Sequence, residues 1–145
     1  MQPKPINMKI TKKYIDHLTY QIIGCAIEVH KVLGPGLLES IYEKCFVHEL
    51  GLRGLQYKSQ QKVPINYKGI SMEADLRYDV LVEDLIIVEL KACEGIVPIF
   101  EAIVLSYMEM TGKPKGIIIN FHCLNIFKEG QRTLVNKIYS ALPDE

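Results

Sequence analysis

Apolar residues recur along the chain at two different spacings, and the change between them separates predicted helices from predicted strands. From about Asp16 to Leu33 the apolar positions recur every three or four residues, which is the spacing of one helix face, and this pattern stops at Gly34-Pro35-Gly36. The same spacing from Leu37 to Leu50 predicts a second helix. The two segments together predict an angled helix pair joined by a tight glycine-proline corner.

Beyond the second helix, polar and apolar residues alternate, which is typical of half-buried strands. One predicted strand ends at a Lys68-Gly69 turn and another follows from Ile70 to Val82. A strand of that length would extend about 43 Å, so we expect a bend or bulge near Asp75. A third, mostly apolar strand from Leu85 to Lys91 completes a predicted three-stranded antiparallel meander.

The second half of the chain predicts a helix, a buried strand and a final helix. Pro98 begins the first of these helices and Gly112 ends it. The strand from Lys115 to Phe121 follows a helical connection, so we expect it to lie parallel to the preceding strand. An amphipathic helix is predicted from Ile126 to Leu142. The fold class is therefore α/β, with a mixed four-stranded sheet, the meander plus one parallel strand, flanked by helices.

Length and composition limit the functions that the chain can have. At 145 residues it can bury its own core; we expect residues 1–13 to form a loose arm and residues 14–145 a single domain. The formal net charge is zero, so binding of nucleic acid would need a local basic patch. No apolar run approaches the roughly 20 residues of a membrane span, and the four cysteines lack metal-site spacing. We expect a cytoplasmic protein with no membrane contact.

Three charged residues interrupt the apolar strand pair between Tyr78 and Lys91. Glu89 and Lys91 are two residues apart and therefore point to the same face of their strand. A three-residue loop centred on Asp84 would place Asp79 opposite Glu89, with roughly 4.5 to 5.5 Å between their Cβ atoms. A two-residue loop would send Glu89 to the opposite face. The chemistry of two carboxylates that act together therefore predicts the longer, three-residue loop.

Two carboxylates this close repel each other unless a cation lies between them, and hard oxygen ligands suit Mg²⁺ or Mn²⁺. With Lys91 beside them, Asp79 and Glu89 would form a site for metal-assisted hydrolysis. The same three charges would also fit a salt-bridge ladder on a solvated sheet face. The three residues alone leave both interpretations open.

Two further side chains have local explanations. Glu39 and Tyr42 lie on one face of the first turn of the second helix, and a carboxylate at that end favours the helix dipole without any further role. His30 lies in the last turn of the first helix, where a cation is favoured. Taken alone, Glu39 and His30 are expected to be structural.

The whole pattern resembles the core of the PD-(D/E)XK nuclease superfamily, in which the signature here is Asp79 followed by Glu89-Leu90-Lys91. It is more closely similar to the GxxExxY proteins, a small family within that superfamily, whose motif is matched by Gly36-Leu37-Leu38-Glu39-Ser40-Ile41-Tyr42. The segment Ile27–Pro35 is similar to the first helix of that family. The resemblance covers roughly Leu18 to Val135 and implies a restriction-endonuclease-like core.

The resemblance also implies roles for individual residues. Asp79 and Glu89 would ligate Mg²⁺ or Mn²⁺ together with the backbone carbonyl of Leu90. Lys91 would position or polarise the attacking water and stabilise negative charge at the phosphorus. Glu39 would reach the metal directly or through water, which replaces the structural expectation given above. Supporting roles around the site fall to His30, Tyr42 and Tyr107.

One position departs from the pattern of related nucleases, which often carry a Gln four residues before a Tyr in the helix after Glu-x-Lys. Here Ile103 precedes Tyr107, so the contact made by that Gln is absent or comes from another group such as Glu101. The implied function is a metal-dependent nuclease that hydrolyses phosphodiester bonds of nucleic acid, with DNA the expected substrate. The alternative is a catalytically inactive module that binds nucleic acid or a protein. We expect a homodimer or protein partner to supply substrate selection.

Overall fold

A computed structural model describes residues 9–73 and 75–145 of the chain. Five of its strands form one mixed sheet in the order β1-β4-β5-β6-β7, and β2 and β3 form a separate antiparallel hairpin. None of the helices in the described residues is long and apolar enough to span a membrane. The elements are α1 (Lys12–Leu33), α2 (Glu39–Leu52), β1 (Tyr57–Lys62), β2 (Ile65–Tyr67), β3 (Ile70–Met72), β4 (Arg77–Val82), β5 (Ile86–Lys91), α3 (Pro98–Thr111), β6 (Lys115–Asn120), α4 (Ile126–Glu129), β7 (Gln131–Val135) and α5 (Lys137–Ser140).

The sheet separates two apolar cores. On one face, alternate residues of β4, β5 and β6 pack against α1 and α2. On the other face, Leu81, Ile87 and Ile118 pack against α3. The helix lies very close to β6, because a Cβ atom added to Gly116 would stand 2.5 Å from a methyl carbon of Val104. Glycine at this position therefore lets α3 pack directly on the backbone of the sheet.

The predicted helix pair is confirmed, with a different start. The side chain of Thr11 accepts a hydrogen bond from the backbone N–H of Tyr14, so α1 begins at Lys12 and not near Asp16. The helix therefore includes the last two residues of the segment predicted as a loose arm, and residues 1–8 lie outside the described part of the chain. At its other end α1 stops at Gly34, whose positive φ of 68° suits glycine.

The segment from Ile70 to Val82, predicted as one strand with a bend or bulge, forms two separate strands. Its first part is β3, which pairs with β2, and its second part is β4, which pairs with β1. All three residues of β3 are exposed on both faces, so no core contact holds this segment in the main sheet. The antiparallel order predicted for the meander survives as β1-β4-β5, with the β2-β3 hairpin inserted between β1 and β4.

The connection from β5 through α3 to a parallel β6 is confirmed, but the final amphipathic helix is wrong. Its segment forms α4, β7 and α5, and β7 pairs with β6 as a fifth strand, so the sheet has five strands and not four. Gly130 ends α4, where an added Cβ would stand 2.7 Å from the Asn120 carbonyl oxygen. Asn136 begins α5 as its N-cap. Between them Thr133 and Val135 are β-branched, which favours a strand.

Candidate active site

The β4-β5 hairpin has the three-residue loop that the sequence predicts. Val82 pairs with Ile86, and the loop between them is Glu83-Asp84-Leu85. Glu83 and Asp84 both have positive φ, at 53° and 58°, a region that costs roughly 1 kcal/mol or more for residues other than glycine. A buried hydrogen bond offsets part of this cost, since the Glu83 carboxylate accepts from the backbone N–H of Gln56 at 2.6 Å. Continued along the strands, this register brings Asp79 opposite Glu89.

The two carboxylates are held by the backbone of the opposing strands. The backbone N–H of Leu90 donates to Oδ2 of Asp79 at 2.8 Å, and the backbone N–H of Asp79 donates to Oε1 of Glu89 at 3.2 Å. Each carboxylate therefore takes its orientation from the neighbouring strand and not from a flexible loop. A pair built on strands in this way keeps a defined spacing, which a metal site requires.

Burial and mutual repulsion set the electrostatics of the pair. Glu89 is only 7% exposed. Its burial, followed by the negative charge of Asp79, raises the pKa of Glu89 to about 9, although the nearby Lys91 ammonium acts in the opposite direction. At neutral pH Glu89 thus retains its proton unless another cation takes its place. This donor set of two close, electrostatically unsatisfied carboxylate oxygens fits a hard divalent cation.

Lys91 and Tyr107 lie on the α3 side of the carboxylates. Because Val88 and Leu90 pack in the core beneath α1 and α2, Glu89 and Lys91 point to the opposite face. There Nζ of Lys91 lies 4.5 Å from the centre of the Phe100 ring, within range of a cation-π interaction. Burial and the charges of Glu89 and Asp79 raise the pKa of Tyr107. The predicted grouping of Lys91 and Tyr107 with the carboxylate pair is present.

Glu39 approaches the same group from the start of α2. It is the first residue of that helix, and although its side chain remains accessible to solvent, partial burial raises its pKa. The negative charge of Asp79 raises the pKa further and the positive charge of Lys91 lowers it. The carboxylate of Glu39 therefore lies within electrostatic range of both residues.

Gln60 and Glu43 also belong to this group, and neither was predicted. Nε2 of Gln60 donates to Oε1 of Glu43 at 2.9 Å and to Oδ1 of Asp79 at 3.3 Å. Burial, followed by the charge of Asp79, raises the pKa of Glu43. The position of Glu43, four residues after Glu39 on one helix face, was an available signal. Gln60 had none, because only the pairing of β1 with β4 brings it opposite Asp79.

The backbone at Gln60 is unusual, since its φ is 52° in the middle of a strand. Its neighbours Ser59 and Gln61 pair with Val80 and Tyr78, so the ladder continues on both sides of the Gln60-Asp79 position. Left-handed backbone at a residue other than glycine persists only where surrounding contacts hold it. The contacts here include the two hydrogen bonds that the Gln60 side chain donates to carboxylates.

Two residues that were predicted to support the site form hydrogen bonds elsewhere. Nε2 of His30 bonds to the Cys123 carbonyl oxygen at 2.9 Å. The hydroxyl of Tyr42 donates to the Gly34 carbonyl oxygen at 2.5 Å and accepts from the N–H of Leu37 at 3.1 Å. The Tyr42 bonds anchor the corner between α1 and α2, and the His30 bond joins the last turn of α1 to the segment after β6. Tyr42 thereby positions the first turn of α2, which carries Glu39.

Glu101 does not supply the Gln contact that Ile103 lacks. Oε1 of Glu101 lies 3.9 Å from Nε of Arg132 on β7, and Ile103 is itself 37% exposed. An amide does reach Asp79, but it comes from Gln60 on the edge strand instead of from α3. The polar contacts around the carboxylate pair therefore come from a different element than the resemblance implied.

The site is built around a pair of ligands and not a complete cage. Within residues 9–73 and 75–145, no three side chains of His, Cys, Asp or Glu form a group that could hold a metal ion. Besides Asp79 and Glu89, the carboxylates within electrostatic range are those of Glu39 and Glu43. Further ligands would come from these side chains, the backbone or water.

Comparison with known proteins agrees with this geometry. A family model of the PD-(D/E)XK nuclease superfamily matches residues 16–133, which include the helix pair, the carboxylate hairpin and the strands up to the middle of β7. Neither the curated proteins nor the solved structures give a significant match. Because the family model covers most of the chain, the protein belongs to the PD-(D/E)XK nuclease superfamily.

Proposed function

We propose that the protein is a divalent-metal-dependent nuclease that hydrolyses phosphodiester bonds, with DNA as its substrate. Membership of the superfamily indicates nuclease activity and binding of nucleic acid. The observation that carries the proposal for this chain is the pair of Asp79 and Glu89, held by reciprocal backbone hydrogen bonds with Lys91 on the same face. The Gly36–Tyr42 motif supports placing the chain among the GxxExxY proteins.

The proposed metal, Mg²⁺ or Mn²⁺, would be held by Asp79, Glu89 and the backbone carbonyl of Leu90, with Glu39 binding directly or through water. When bound, such an ion lowers the pKa of a coordinated water and offsets negative charge at the phosphorus. The raised pKa of Glu89 supports this assignment, because the carboxylate pair lacks the positive charge that a cation would supply.

The side chains around the metal would orient the reactants. Lys91 would hydrogen-bond the attacking water or a phosphoryl oxygen, while its ammonium nitrogen lies 4.5 Å from the centre of the Phe100 ring. Gln60 bridges Asp79 and Glu43 by donating to both. Tyr107, which lies within electrostatic range of the same carboxylates, would be a further donor toward the substrate.

Cleavage assays with single- and double-stranded DNA in Mn²⁺ test this function. We expect the wild-type protein to produce fragments, and Asp79→Ala and Lys91→Ala to lose at least 100-fold in rate, since each removes a group that stabilises the transition state. Glu101→Ala, which changes a carboxylate that faces β7, is the matched control and should cleave normally. Equal residual cleavage by all four proteins would contradict the proposal.

A second candidate, a catalytically inactive module that binds nucleic acid or a protein partner, is favoured by two observations. Ile103 replaces the expected Gln, and the described residues hold no three-ligand group. Calorimetric titration with Mg²⁺ and Mn²⁺ separates the two functions. Binding that requires Asp79 and Glu89 supports the nuclease, whereas no binding at millimolar metal supports the module. A cytoplasmic location and a homodimer or protein partner for substrate selection complete the proposal.

A further inference from the structure

One edge of the sheet carries positive charge, although the formal net charge of the protein is zero. Residues 56–72 contain Lys58, Lys62 and Lys68 but neither Asp nor Glu. The segment comprises β1 and the β2-β3 hairpin. We call it the basic edge. Its three lysines are exposed, as are Tyr57 at 40% and Tyr67 at 59%.

In the part of the chain that the structure describes, Lys58, Lys62 and Lys68 form no ion pair. The Arg77 side chain, next to Lys62 in the sheet, is by contrast paired with Asp75 at 3.5 Å. Three unpaired ammonium groups along one strand and hairpin are complementary to a polyanion.

The basic edge passes directly beside the candidate active site. β1 pairs only with β4 in the sheet of the described residues, and Gln60, at its centre, hydrogen-bonds Asp79 at 3.3 Å. Lys58 and Lys62 lie two residues before and after Gln60, or about 7 Å along an ideal strand in each direction. A chain of phosphates following β1 would therefore cross the position of the carboxylate pair.

The aromatic side chains of the basic edge indicate which form of nucleic acid it fits. The exposed ring of Tyr67 lies beside Lys68, whose Nζ is 5.4 Å from the ring centre. Tyr57 is likewise followed by Lys58. Exposed rings next to cations are the arrangement that binds single strands, because unpaired bases stack on the rings while the cations contact the phosphates. Paired bases of a duplex do not offer these faces.

We propose that β1 and the β2-β3 hairpin, through Lys58, Lys62, Lys68 and Tyr67, bind a single-stranded segment of nucleic acid and lead it to Asp79 and Glu89. This inference rests on the proposed nuclease function for its direction toward the carboxylates. Binding itself needs no hydrolysis, so the two can be tested separately.

The test measures binding of fluorescein-labelled single-stranded and duplex DNA of equal length by anisotropy, in EDTA so that no cleavage occurs. We expect Lys58→Ala/Lys62→Ala/Lys68→Ala to weaken single-strand binding at least tenfold and to reduce the slope of log affinity against log salt by about 2, at roughly 0.7 for each phosphate contact. The matched control, Lys31→Ala/Lys128→Ala/Lys137→Ala, removes the same charge from α1, α4 and α5 and should bind within twofold of wild type. Thermal unfolding of both triple variants establishes that they are folded.

A second variant tests stacking without changing charge. Tyr67→Ala should weaken single-strand binding about tenfold, and Tyr67→Phe should bind as wild type does, because the ring alone stacks. The proposal is overturned if wild type does not bind, if the two triple variants lose affinity equally, or if duplex binds as tightly as single strand. Lysine-dependent binding without cleavage in Mn²⁺ would sustain the interface and reject the nuclease function. If wild type cleaves DNA and the Lys58/Lys62/Lys68 variant binds it as tightly as wild type does, the nuclease function is supported and the proposed interface is rejected.

Discussion

Glu89 is the residue whose chemistry depends most on its surroundings. Burial and the charge of Asp79 raise its pKa to about 9, so the folded metal-free protein retains a proton that the unfolded chain releases near pH 4.5. Below pH 4.5 Glu89 is protonated in both the folded and the unfolded state, so its raised pKa does not lower the free energy of unfolding there. As pH rises from there toward 9, the unfolded state is increasingly favoured.

This linkage predicts the pH dependence of stability for the metal-free protein. In EDTA, the melting temperature of wild type should fall relative to that of Glu89→Gln between pH 5 and 9, because the variant keeps a neutral group at all pH values. The difference in unfolding free energy should reach a few kcal/mol. Thermal unfolding across this range measures it, with Glu73→Gln, at an exposed carboxylate, as the control. Parallel curves for wild type and Glu89→Gln would contradict the raised pKa.

Gln60 provides a second prediction for a single residue. Removing its side chain takes away the donor to Asp79 and Glu43, so Gln60→Gly and Gln60→Ala should each bind Mn²⁺ about tenfold more weakly, as expected for groups that orient metal ligands. Glycine also relieves the positive φ of 52°. Gln60→Gly should therefore be more stable than Gln60→Ala by about 1 kcal/mol while binding metal equally weakly. Calorimetry and urea unfolding measure the two effects, and undiminished Mn²⁺ affinity would show that Gln60 does not orient Asp79.

Among the elements, the β4-β5 hairpin was the one most completely predicted. The common face of Glu89 and Lys91 follows from local alternation, and the loop length and register follow from the requirement that Asp79 face Glu89. The last part of the chain was predicted wrongly because a short edge strand leaves a weak pattern. The alternation in β7 covers only Gln131–Val135, and half-buried positions within it also fit one face of a helix. Gly130 and Asn136 were the available signals of the breaks.

The hairpin loop allows a prediction at the scale of an element. Asp84→Gly should stabilise the protein by about 0.5 kcal/mol, because glycine accepts the positive φ of 58° and the exposed pair of Asp84 with Lys113 contributes little. Glu83→Gly should destabilise it by about 1 kcal/mol or more, since it removes the buried carboxylate bonded to Gln56. Asp84→Ala, which loses the ion pair but keeps the strain, separates the two causes. Urea unfolding of the three variants checks the order.

At the scale of the whole molecule, metal binding should be visible as stability. A ligand that binds only the folded state stabilises it by about 2.7 kcal/mol at a concentration of 100 times its dissociation constant. We expect Mn²⁺ to raise the melting temperature of wild type and also to flatten its dependence on pH, because the ion replaces the proton that Glu89 retains. Asp79→Asn should show neither effect. A rise of equal size in both proteins would place the ion away from this pair.

The sequence by itself determined the helix pair, the hairpin with its three-residue loop, the parallel connection through α3, and the presence of Asp79, Glu89 and Lys91 on one strand pair. The helices and strands depend on local periods, turns and caps, which neighbouring residues encode, and the loop length follows from the requirement that Asp79 meet Glu89. Only the tertiary structure decided that Gln60 and Glu43 join the carboxylates, that His30 and Tyr42 bond at the helix corner, and that β7 completes the sheet. Those contacts join segments far apart in the chain, and they arise from strand pairing and from helices packing on the sheet, which no local pattern specifies.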